Sequence, residues 1–553
     1  MRNRFLAALF CCVYSLSAQN PPLPVAANEP PTPAVPPATP LQVPARVGIA
    51  GEASMSLPEV IRKVLENDRD LVVARIATQE ASFNVTGAKG YYDPIIGLNT
   101  YRLRSVIPTA SLIGGAADGK ITQKELYADP QISGSSPWLG GTYKLDFASS
   151  RQSTDSTFTT LNPQFPTALN LNLTQPLWGG LRFDENRYRI QVARKNVVLS
   201  DQDLKQRLIQ VVTQAIQDYW ELDFAYRNLT VQIEAVRLAE QQDSSNRRQV
   251  RQGILAPVDV IQTQTQIDTF QQNVFTAQEA LTRAENTLKS LMLPDPNHPL
   301  WGSALIPTTV LEGETELPRV EDAIQEAIKS RPEIEESNIN IDLNALNSRL
   351  YREQAKPQIN AVGTLSAQGL SGRPISVIPN PILDQLGVVG VLPPIFPGGY
   401  SQSLNNLYRG TFPTAQVGVQ VSFPIRNRTA EAQVAVGVAE RKRLVAQQQS
   451  VELAVEAEVR NALQGLAGAQ RRLASAESAQ KSAEEQYASE QRQFRAGTSS
   501  VFLVLQGQTD LIAARSRNIR AKADLGQAIA ELNRVTAHTL IAQKIDIASS
   551  SSP

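Results

Sequence analysis

Two long stretches of this chain contain no proline, and they constrain its fold more than any other feature. They run from Leu177 to Ala256 and from Ile425 to Ser552. Proline costs about 3 kcal/mol inside a helix, and apolar residues recur in both stretches at coiled-coil spacings of three and four. A helix from Arg428 to Phe494 would be about 100 Å long at 1.5 Å per residue. The sequence therefore predicts long paired helices rather than a compact globular domain.

Two short segments alternate with a period of two. Their alternating apolar residues are Leu169, Leu171 and Leu173 in one, and Val417, Val419 and Val421 in the other. One apolar and one polar face over about ten residues is what a strand in a membrane barrel requires, although a half-buried strand of a soluble sheet shows the same pattern. Weaker strand candidates run from Asp93 to Leu103 and from Pro357 to Ala367.

The two halves of the chain repeat each other. Similar helix openings occur at Leu57–Leu65 and Arg319–Ile328, and at a spacing of 244 residues Gly253 matches Gly497 and Val260 matches Val504. Each half is predicted to form a helix, a strand, a loop, a strand, a very long helix, a glycine turn and a helix. Such self-similarity at fixed spacing indicates an internal duplication.

The N-terminus is typical of an exported protein. Arg2 and Arg4 precede an apolar stretch from Phe5 to Leu16, and small residues follow it, which predicts a signal peptide at 1–18. The further segments that we predict are a Pro-rich extended segment at 19–52, a first repeat at 53–295, a connector at 296–315, a second repeat at 316–545 and a disordered tail at 546–553.

The composition argues against several classes of function. The chain has 53 basic and 53 acidic residues, two histidines and two cysteines, and both cysteines lie within the predicted signal peptide. These numbers give no basic field for nucleic acid and no Cys/His set for a metal or redox centre. No cofactor is expected. An exported hydrolase would need a clustered nucleophile and base, whereas His298 and His538 are isolated, so we expect no enzyme.

Several segments, from Ser56 to Ala537, resemble the TolC family of outer-membrane efflux proteins. They are Arg331–Ile334, the strand-to-helix segments Leu171–Trp178 and Val419–Ile425, and the turns Arg251–Val260 and Arg495–Val504. The resemblance implies a mainly α-helical chain with a membrane β-barrel. Its helices would form a periplasmic tunnel, and each protomer of a trimer would give four strands to a twelve-stranded barrel. Four strands alone cannot close, and open edges cannot lie in lipid.

The resemblance also implies a function and site residues. The chain would be the outer-membrane channel of a tripartite efflux or type I secretion system, extending into the periplasm and meeting an adaptor (a membrane fusion protein) and an inner-membrane pump. The residues expected to dock these partners are Gly253, Pro257, Gly497, Thr498 and Ser499. Those expected at the tunnel aperture are Asp259, Leu503 and Gln506. Leu503 and Gln506 replace the family's aspartates, whereas Asp259 either matches an acidic family residue or is a solvated helix-start carboxylate.

Two further expectations concern topology. The apolar strand residues should face outer-membrane lipid, and the long connections, from Arg104 to Ala168 and from Gln368 to Pro413, should lie outside the cell. Within the first connection Thr142–Phe147 also alternates and is a candidate extra strand. The alternative is a periplasmic coiled-coil adaptor or an exported scaffold protein; an adaptor would need a lipoyl-like β domain between its helical arms, and none is visible in the sequence.

Overall fold

The computed structural model describes residues 41–110, 116, 118–311, 316–375 and 392–545. The predicted signal peptide, most of the Pro-rich segment and the predicted tail lie outside these ranges. In chain order the helices are α1 (Leu57–Asn67), α2 (Arg69–Lys89), α3 (Glu185–Arg251), α4 (Pro257–Met292), α5 (Val320–Ser330), α6 (Pro332–Gln354), α7 (Tyr400–Tyr408), α8 (Arg428–Arg495), α9 (Val501–Val535) and α10 (Thr539–Ala542). The strands are β1 (Gly51–Met55), β2 (Ile95–Pro108), β3 (Lys120–Ser135), β4 (Thr142–Thr154), β5 (Leu161–Pro176), β6 (Ser303–Pro307), β7 (Gln358–Pro374) and β8 (Phe412–Ser422).

The two predicted long helices are present as α3, with 67 residues, and α8, with 68 residues. Each begins at a capping side chain: Asp184 accepts a hydrogen bond from the amide of Arg187, and Asn427 accepts one from Ala430. Each then turns back into a shorter antiparallel helix, α4 or α9. The duplication predicted from the sequence is therefore a duplication of helical hairpins.

The two hairpins pack against each other through α3 and α9. Trp220 of α3 lies against Gly526 of α9 so closely that a Cβ atom at position 526 would come within 2.6 Å of the indole ring. The fully buried amide of Gln508 also donates to the carbonyl of Ala235, across the same interface. Close backbone approach at a small residue is typical of long packed helices, and here it holds the two repeats side by side.

Six strands form one antiparallel sheet in the order β2-β3-β4-β5-β7-β8. The prediction of four strands per chain was therefore wrong. The four predicted strands correspond to β2, β5, β7 and β8, each of which connects directly to a long or amphipathic helix. The β3–β4 hairpin lies between β2 and β5, so both of its strands have hydrogen-bonded neighbours on each side.

The first long connection is consequently divided differently from our expectation. Its central part is the β3–β4 hairpin, whose turn lies at the helical end of the sheet: Arg187 of α3 donates to the carbonyl of Pro137, and Gln175 donates to that of Leu139. Pro108 at the end of β2, Lys120 at the start of β3 and the β4–β5 connection lie at the opposite end. The candidate extra strand Thr142–Phe147 is confirmed as part of β4, whereas the expectation that the whole segment from Arg104 to Ala168 lies at the end away from the helices was wrong.

The second connection also begins later than expected. Strand β7 continues to Pro374, and helix α7 packs on the sheet before β8 begins. The hydroxyl of Ser403 in α7 lies 2.8 Å from that of Thr167 in β5. A Cβ atom at Gly369 would come within 2.1 Å of the Ser403 carbonyl oxygen, so this close approach depends on glycine.

A second, two-stranded sheet joins the start of the first repeat to the connector. Strand β1 pairs in parallel with β6, from Gly51 opposite Ser303 to Met55 opposite Pro307. It packs beside the main hydrophobic core, which is built around α1, α3 and α4. The fully buried Lys289 of α4 donates to the carbonyl oxygens of Trp301 and Ser303 and lies 3.6 Å from Glu285, so its charge is compensated.

Candidate functional site

The first helical turn is built around Gly253. Its φ of 73° lies in the left-handed region, which favours glycine. The amide of Ile254 donates to the carbonyl of Gln249 at 2.9 Å, which closes the turn in the manner of a Schellman motif. Pro257 occupies the first position of α4, where a backbone N–H would have no acceptor within the helix, so its absence costs no hydrogen bond. The turn is therefore tight and conformationally defined.

The second turn has the same construction around Gly497. Its φ is 76°, and the amide of Thr498 donates to the carbonyl of Gln493 at 2.9 Å. The Ser499 hydroxyl donates to Glu490 at 2.8 Å, which ties the turn to the last turns of α8. Four of the five residues predicted to dock partners, Gly253, Gly497, Thr498 and Ser499, thus lie in turns; Pro257 begins the helix that follows.

The ends of both hairpins expose large apolar side chains, of which the sequence analysis singled out only Leu503. They are Ile254, Val258, Ile261, Phe502 and Leu503, with exposed fractions from 46% for Leu503 to 67% for Ile254. Val258 and Phe502 are equivalent by the repeat spacing of 244. An apolar residue repeated at the second position of each returning helix was the signal that could have found this surface. Several exposed large apolar side chains at the end of a helical hairpin are characteristic of an interaction site.

The three predicted aperture residues lie in two separate turns. Leu503 and Gln506 lie three residues apart near the start of α9, and both side chains are exposed. Asp259 lies in the first turn of α4, and no hydrogen bond recorded within the described ranges joins it to the other two. Its carboxylate accepts from the amide of Ala256 at 3.1 Å, which caps α4. The carboxylate therefore caps the helix, and a role of Asp259 at the aperture stays a prediction.

An acidic residue missed by the sequence analysis lies one turn beyond Gln506. The amide of Gln506 donates to the exposed carboxylate of Asp510 at 3.1 Å. The glutamine and the aspartate share one face because they are four residues apart on a helix. Asp510 therefore supplies negative charge near this end of α9. It lies one helical turn after Gln506, which is the position that we compared with an aspartate of the family.

One face of the six-stranded sheet is apolar. Directly opposed residues lie on the same face of an antiparallel sheet. The strand register defines one row across all six strands: Ile96, Ile132, Leu145, Leu171, Leu365 and Ala415. Leu169, Leu173, Val417, Val419 and Val421 belong to the same face by their register and alternation. Val417 is 87% exposed, so this chain alone does not cover it.

The opposite face is polar. The adjacent row reads Gly97, Gln131, Asp146, Asn170, Ser366 and Thr414. Asn170 donates to Asp146 at 2.7 Å and accepts from Ser366 at 2.7 Å, so hydrogen bonds run across three strands. A sheet with one apolar and one hydrogen-bonded polar face can separate lipid from water.

A group of charged residues lies where α6 packs on α3 and α8. Arg331 pairs with Glu333 at 2.9 Å and with Glu458 at 2.7 Å. Burial, together with the neighbouring negative charge of Asp203, raises the pKa of Glu336 to about 7. The carboxyl of Glu336 therefore changes charge near neutral pH, in contrast to the neighbouring salt-bridged Glu333, whose pKa is lowered by the hydrogen bond from Arg331 in spite of burial.

Within the described ranges no group of three or more His, Cys, Asp or Glu residues could hold a metal ion. Among the described helices, none combines the length and apolar character needed to span a bilayer.

Comparison with known proteins agrees with this geometry. A family model described as outer membrane efflux protein matches residues 136–292 and 323–538. None of the curated proteins compared with the chain matches it.

Several solved structures share the fold. The outer-membrane channel OprN is 14% identical, with 87% of this chain and 90% of that chain covered and a TM-score of 0.61. The Campylobacter jejuni CmeC outer membrane channel is 16% identical, with 87% and 86% covered and a TM-score of 0.61. CusC is 16% identical, with 90% and 99% covered and a TM-score of 0.61.

Proposed function

The chain belongs to the outer membrane efflux protein family, and on that premise we propose that it acts as a homotrimeric duct joined to a periplasmic adaptor and an inner-membrane pump. It is an outer-membrane efflux channel that extends into the periplasm, a transport protein rather than an enzyme. The alternative of a coiled-coil adaptor or scaffold protein is not supported, because the matched family is that of the channel itself.

The two-faced sheet, joined directly to two helices of nearly 70 residues, carries this proposal. Its apolar face, with Leu171 and Val419, turns toward outer-membrane lipid, and its polar face lines the duct. The strand ends Pro176 and Ser422 lead within a few residues into α3 and α8. Each of these helices spans about 100 Å at 1.5 Å per residue, long enough to carry the duct deep into the periplasm.

Closure of the sheet requires other copies of the chain. Strands β2 and β8 are the two edges, and unpaired backbone groups cannot remain in lipid. In a trimer, edge β2 of one protomer pairs with edge β8 of the next, and six strands from each of three protomers give eighteen strands. Barrel diameter grows roughly in proportion to strand number, so this barrel is wider than the twelve-stranded one implied by the family resemblance.

The helical turns form the partner-binding end. The turn residues Gly253 and Gly497 fix the backbone, and the exposed apolar side chains Val258 and Phe502 provide surface for the adaptor. Leu503 narrows the aperture by apolar constriction, which can exclude water and ions. Asp510, held by Gln506, supplies negative charge one turn further along the same helix.

Disulfide cross-linking between the sheet edges tests the trimer. After removal of the predicted signal peptide the chain has no cysteine, so introduced pairs act alone. Thr100→Cys in β2, combined in turn with Ala415→Cys, Val417→Cys or Val419→Cys in β8, should give a cross-linked ladder that ends at the trimer for the pair in register. The matched control replaces Thr100→Cys by Ala128→Cys, in the interior strand β3, and combines it with the same β8 variants. It should give no cross-link between protomers. A ladder ending at the dimer, or no cross-link at any register, would refute the assembly.

A further inference from the structure

We propose that the outward, apolar face of β2, β3 and β4 carries a binding site for the phosphate groups of phosphorylated glycolipids in the outer leaflet of the outer membrane. The inference rests on the proposed orientation of the sheet in that membrane. The residues of this basic patch are Arg102, Arg104, Lys124 and Arg151.

The strand register brings these four side chains together. Arg104 lies directly opposite Lys124, and both Arg102 and Arg151 lie directly opposite Leu126. Directly opposed side chains are about 5 Å apart at Cβ, so the four cations form one compact group around Leu126. All four side chains are exposed.

The patch lacks internal charge compensation. None of the four cations makes a salt bridge within the described ranges, and the outward residues of β2, β3 and β4 include no carboxylate. Asp155, which follows β4, accepts a hydrogen bond from the amide of Thr122. The acidic residues of these strands, Glu125, Asp129 and Asp146, point to the polar face. Like charges in directly opposed positions are destabilising, so an anion from outside the chain would stabilise this arrangement.

The position of the patch indicates which anion it meets. Along β2 the outward residues near the helices are Ile96 and Leu98; further from the helices they are Arg102 and Arg104, followed by Val106. Arg104 lies nine residues beyond the start of β2, about 30 Å along the strand, at the end that the proposed orientation places on the extracellular side. An outward arginine costs several kcal/mol at the bilayer midplane but about 0–1 kcal/mol near the interface. The change from apolar to basic residues thus marks the level where acyl chains give way to headgroups.

The chemistry of the side chains selects phosphate on an amphipathic molecule. Guanidinium groups bind phosphate oxygens through two parallel hydrogen bonds, and the patch supplies three of them. Leu126, exposed at the centre of the patch, offers an apolar contact for the acyl portion. A phosphorylated glycolipid presents both features at one level of the membrane, whereas a free phosphate ion would use only the cations.

Lipid retention on the purified trimer tests the proposal. Native mass spectrometry would count lipids retained from mixed micelles that contain diphosphoryl lipid A, monophosphoryl lipid A or phosphatidylglycerol. The wild type should retain diphosphoryl lipid A in preference to the other two. The double variant Arg104→Gln/Lys124→Gln should weaken this retention about thirtyfold, as expected for two basic residues near an anionic surface. The double variant Arg104→Lys/Lys124→Arg, which keeps both charges, should retain most of it.

Matched controls separate this site from general attraction and from misfolding. Lys144→Gln removes a cation from the polar face of β4 and should leave retention unchanged; an equal loss in that variant would overturn the proposal. Equal retention of phosphatidylglycerol, displacement by 10 mM inorganic phosphate, or unchanged retention in Arg104→Gln/Lys124→Gln would also overturn it. Trimer yield and edge cross-linking of each variant report assembly separately, so normal cross-links with unchanged lipid retention would reject only this inference.

Discussion

Gly253 and Gly497 lie 244 positions apart in the chain and share one backbone conformation, with φ values of 73° and 76°. Each ends one of the two long helices, and each is followed by the same hydrogen bond back into the last helical turn. At neither position would an added Cβ atom meet another atom within 4 Å. Glycine is therefore required at both turns because of the left-handed backbone conformation, and not because a side chain would clash with neighbouring atoms.

Replacing Gly497 with valine should strain the second turn. A β-branched residue in the left-handed region costs about 1–3 kcal/mol, so Gly497→Val should reduce transport while trimer yield in the outer membrane is kept. Efflux of a substrate from cells and trimer yield on non-boiled gels give the two readouts. Gly465→Ala in the exposed interior of α8 is the control and should leave transport unchanged. Equal loss of trimer and transport in Gly497→Val would place the defect in assembly rather than in the turn.

The aperture hypothesis predicts different effects for neighbouring residues of α9. Leu503→Ser should increase passive ion leak in planar-bilayer recordings, because an apolar constriction excludes ions. Asp510→Asn should lower the preference for cations with little change in leak, and Asp259→Asn, which keeps the capping oxygen, should have the smaller effect on cation preference. If Gln506→Ala opened the channel while Leu503→Ser left conductance unchanged, the hypothesis that Leu503 forms the constriction would be wrong.

The two faces of β5 should differ in their tolerance of charge. Leu171 is opposed by Leu145 and Leu365 on the apolar face, and Leu171→Arg should cost about 2–4 kcal/mol if it lies near the bilayer midplane. Asn172→Arg on the polar face should assemble. The measurement is the amount of trimer in outer-membrane fractions. Similar amounts for both variants would show that Leu171 does not face lipid.

The β3–β4 connection and the β4–β5 connection should be accessible from opposite sides of the membrane. An epitope inserted between Thr157 and Phe158, beyond β4, should be labelled on intact cells. One inserted next to Trp138, an exposed residue in the turn that contacts α3, should be labelled only after the outer membrane is permeabilised. The reverse pattern would invert the proposed topology.

The raised pKa of Glu336 predicts a dependence of stability on pH. In the folded protein this carboxyl keeps its proton up to about pH 7, whereas in the unfolded chain it loses the proton near its ordinary pKa. The folded state therefore binds more protons between these values, and its stability falls as the pH rises through that window.

Replacing Glu336 with glutamine should remove this loss. The variant should be more stable than the wild type at pH 8, by about 1 kcal/mol after allowance for partial exposure, and similar to it at pH 4. The temperature at which the trimer dissociates measures the difference. Glu335→Gln, an exposed neighbour on α6, is the control. A stabilisation of the same size at both pH values would contradict a titration of Glu336.

The basic patch and the strand count show where sequence reasoning stopped. Strand β3 has no clean alternation, because Lys124, Ala128 and Pro130 on its outward face interrupt the apolar pattern. It also has no counterpart in the second repeat, so the duplication could not reveal it. Its place is decided by pairing with β2 and β4, and that pairing also brings Lys124 beside Arg104.

By itself the sequence determined the long helices, the duplication and the glycine turns, because helix periodicity, missing prolines and repeated spacing can be read directly from the order of residues along the chain. It also identified the alternating residues Leu171 and Val419. Only the tertiary structure decided that the sheet has six strands, that Lys124 lies beside Arg104, and that Glu336 meets Asp203. These features depend on contacts between segments distant in the chain, and the hydrogen bonds and electrostatic interactions that create them leave no periodic pattern in the sequence.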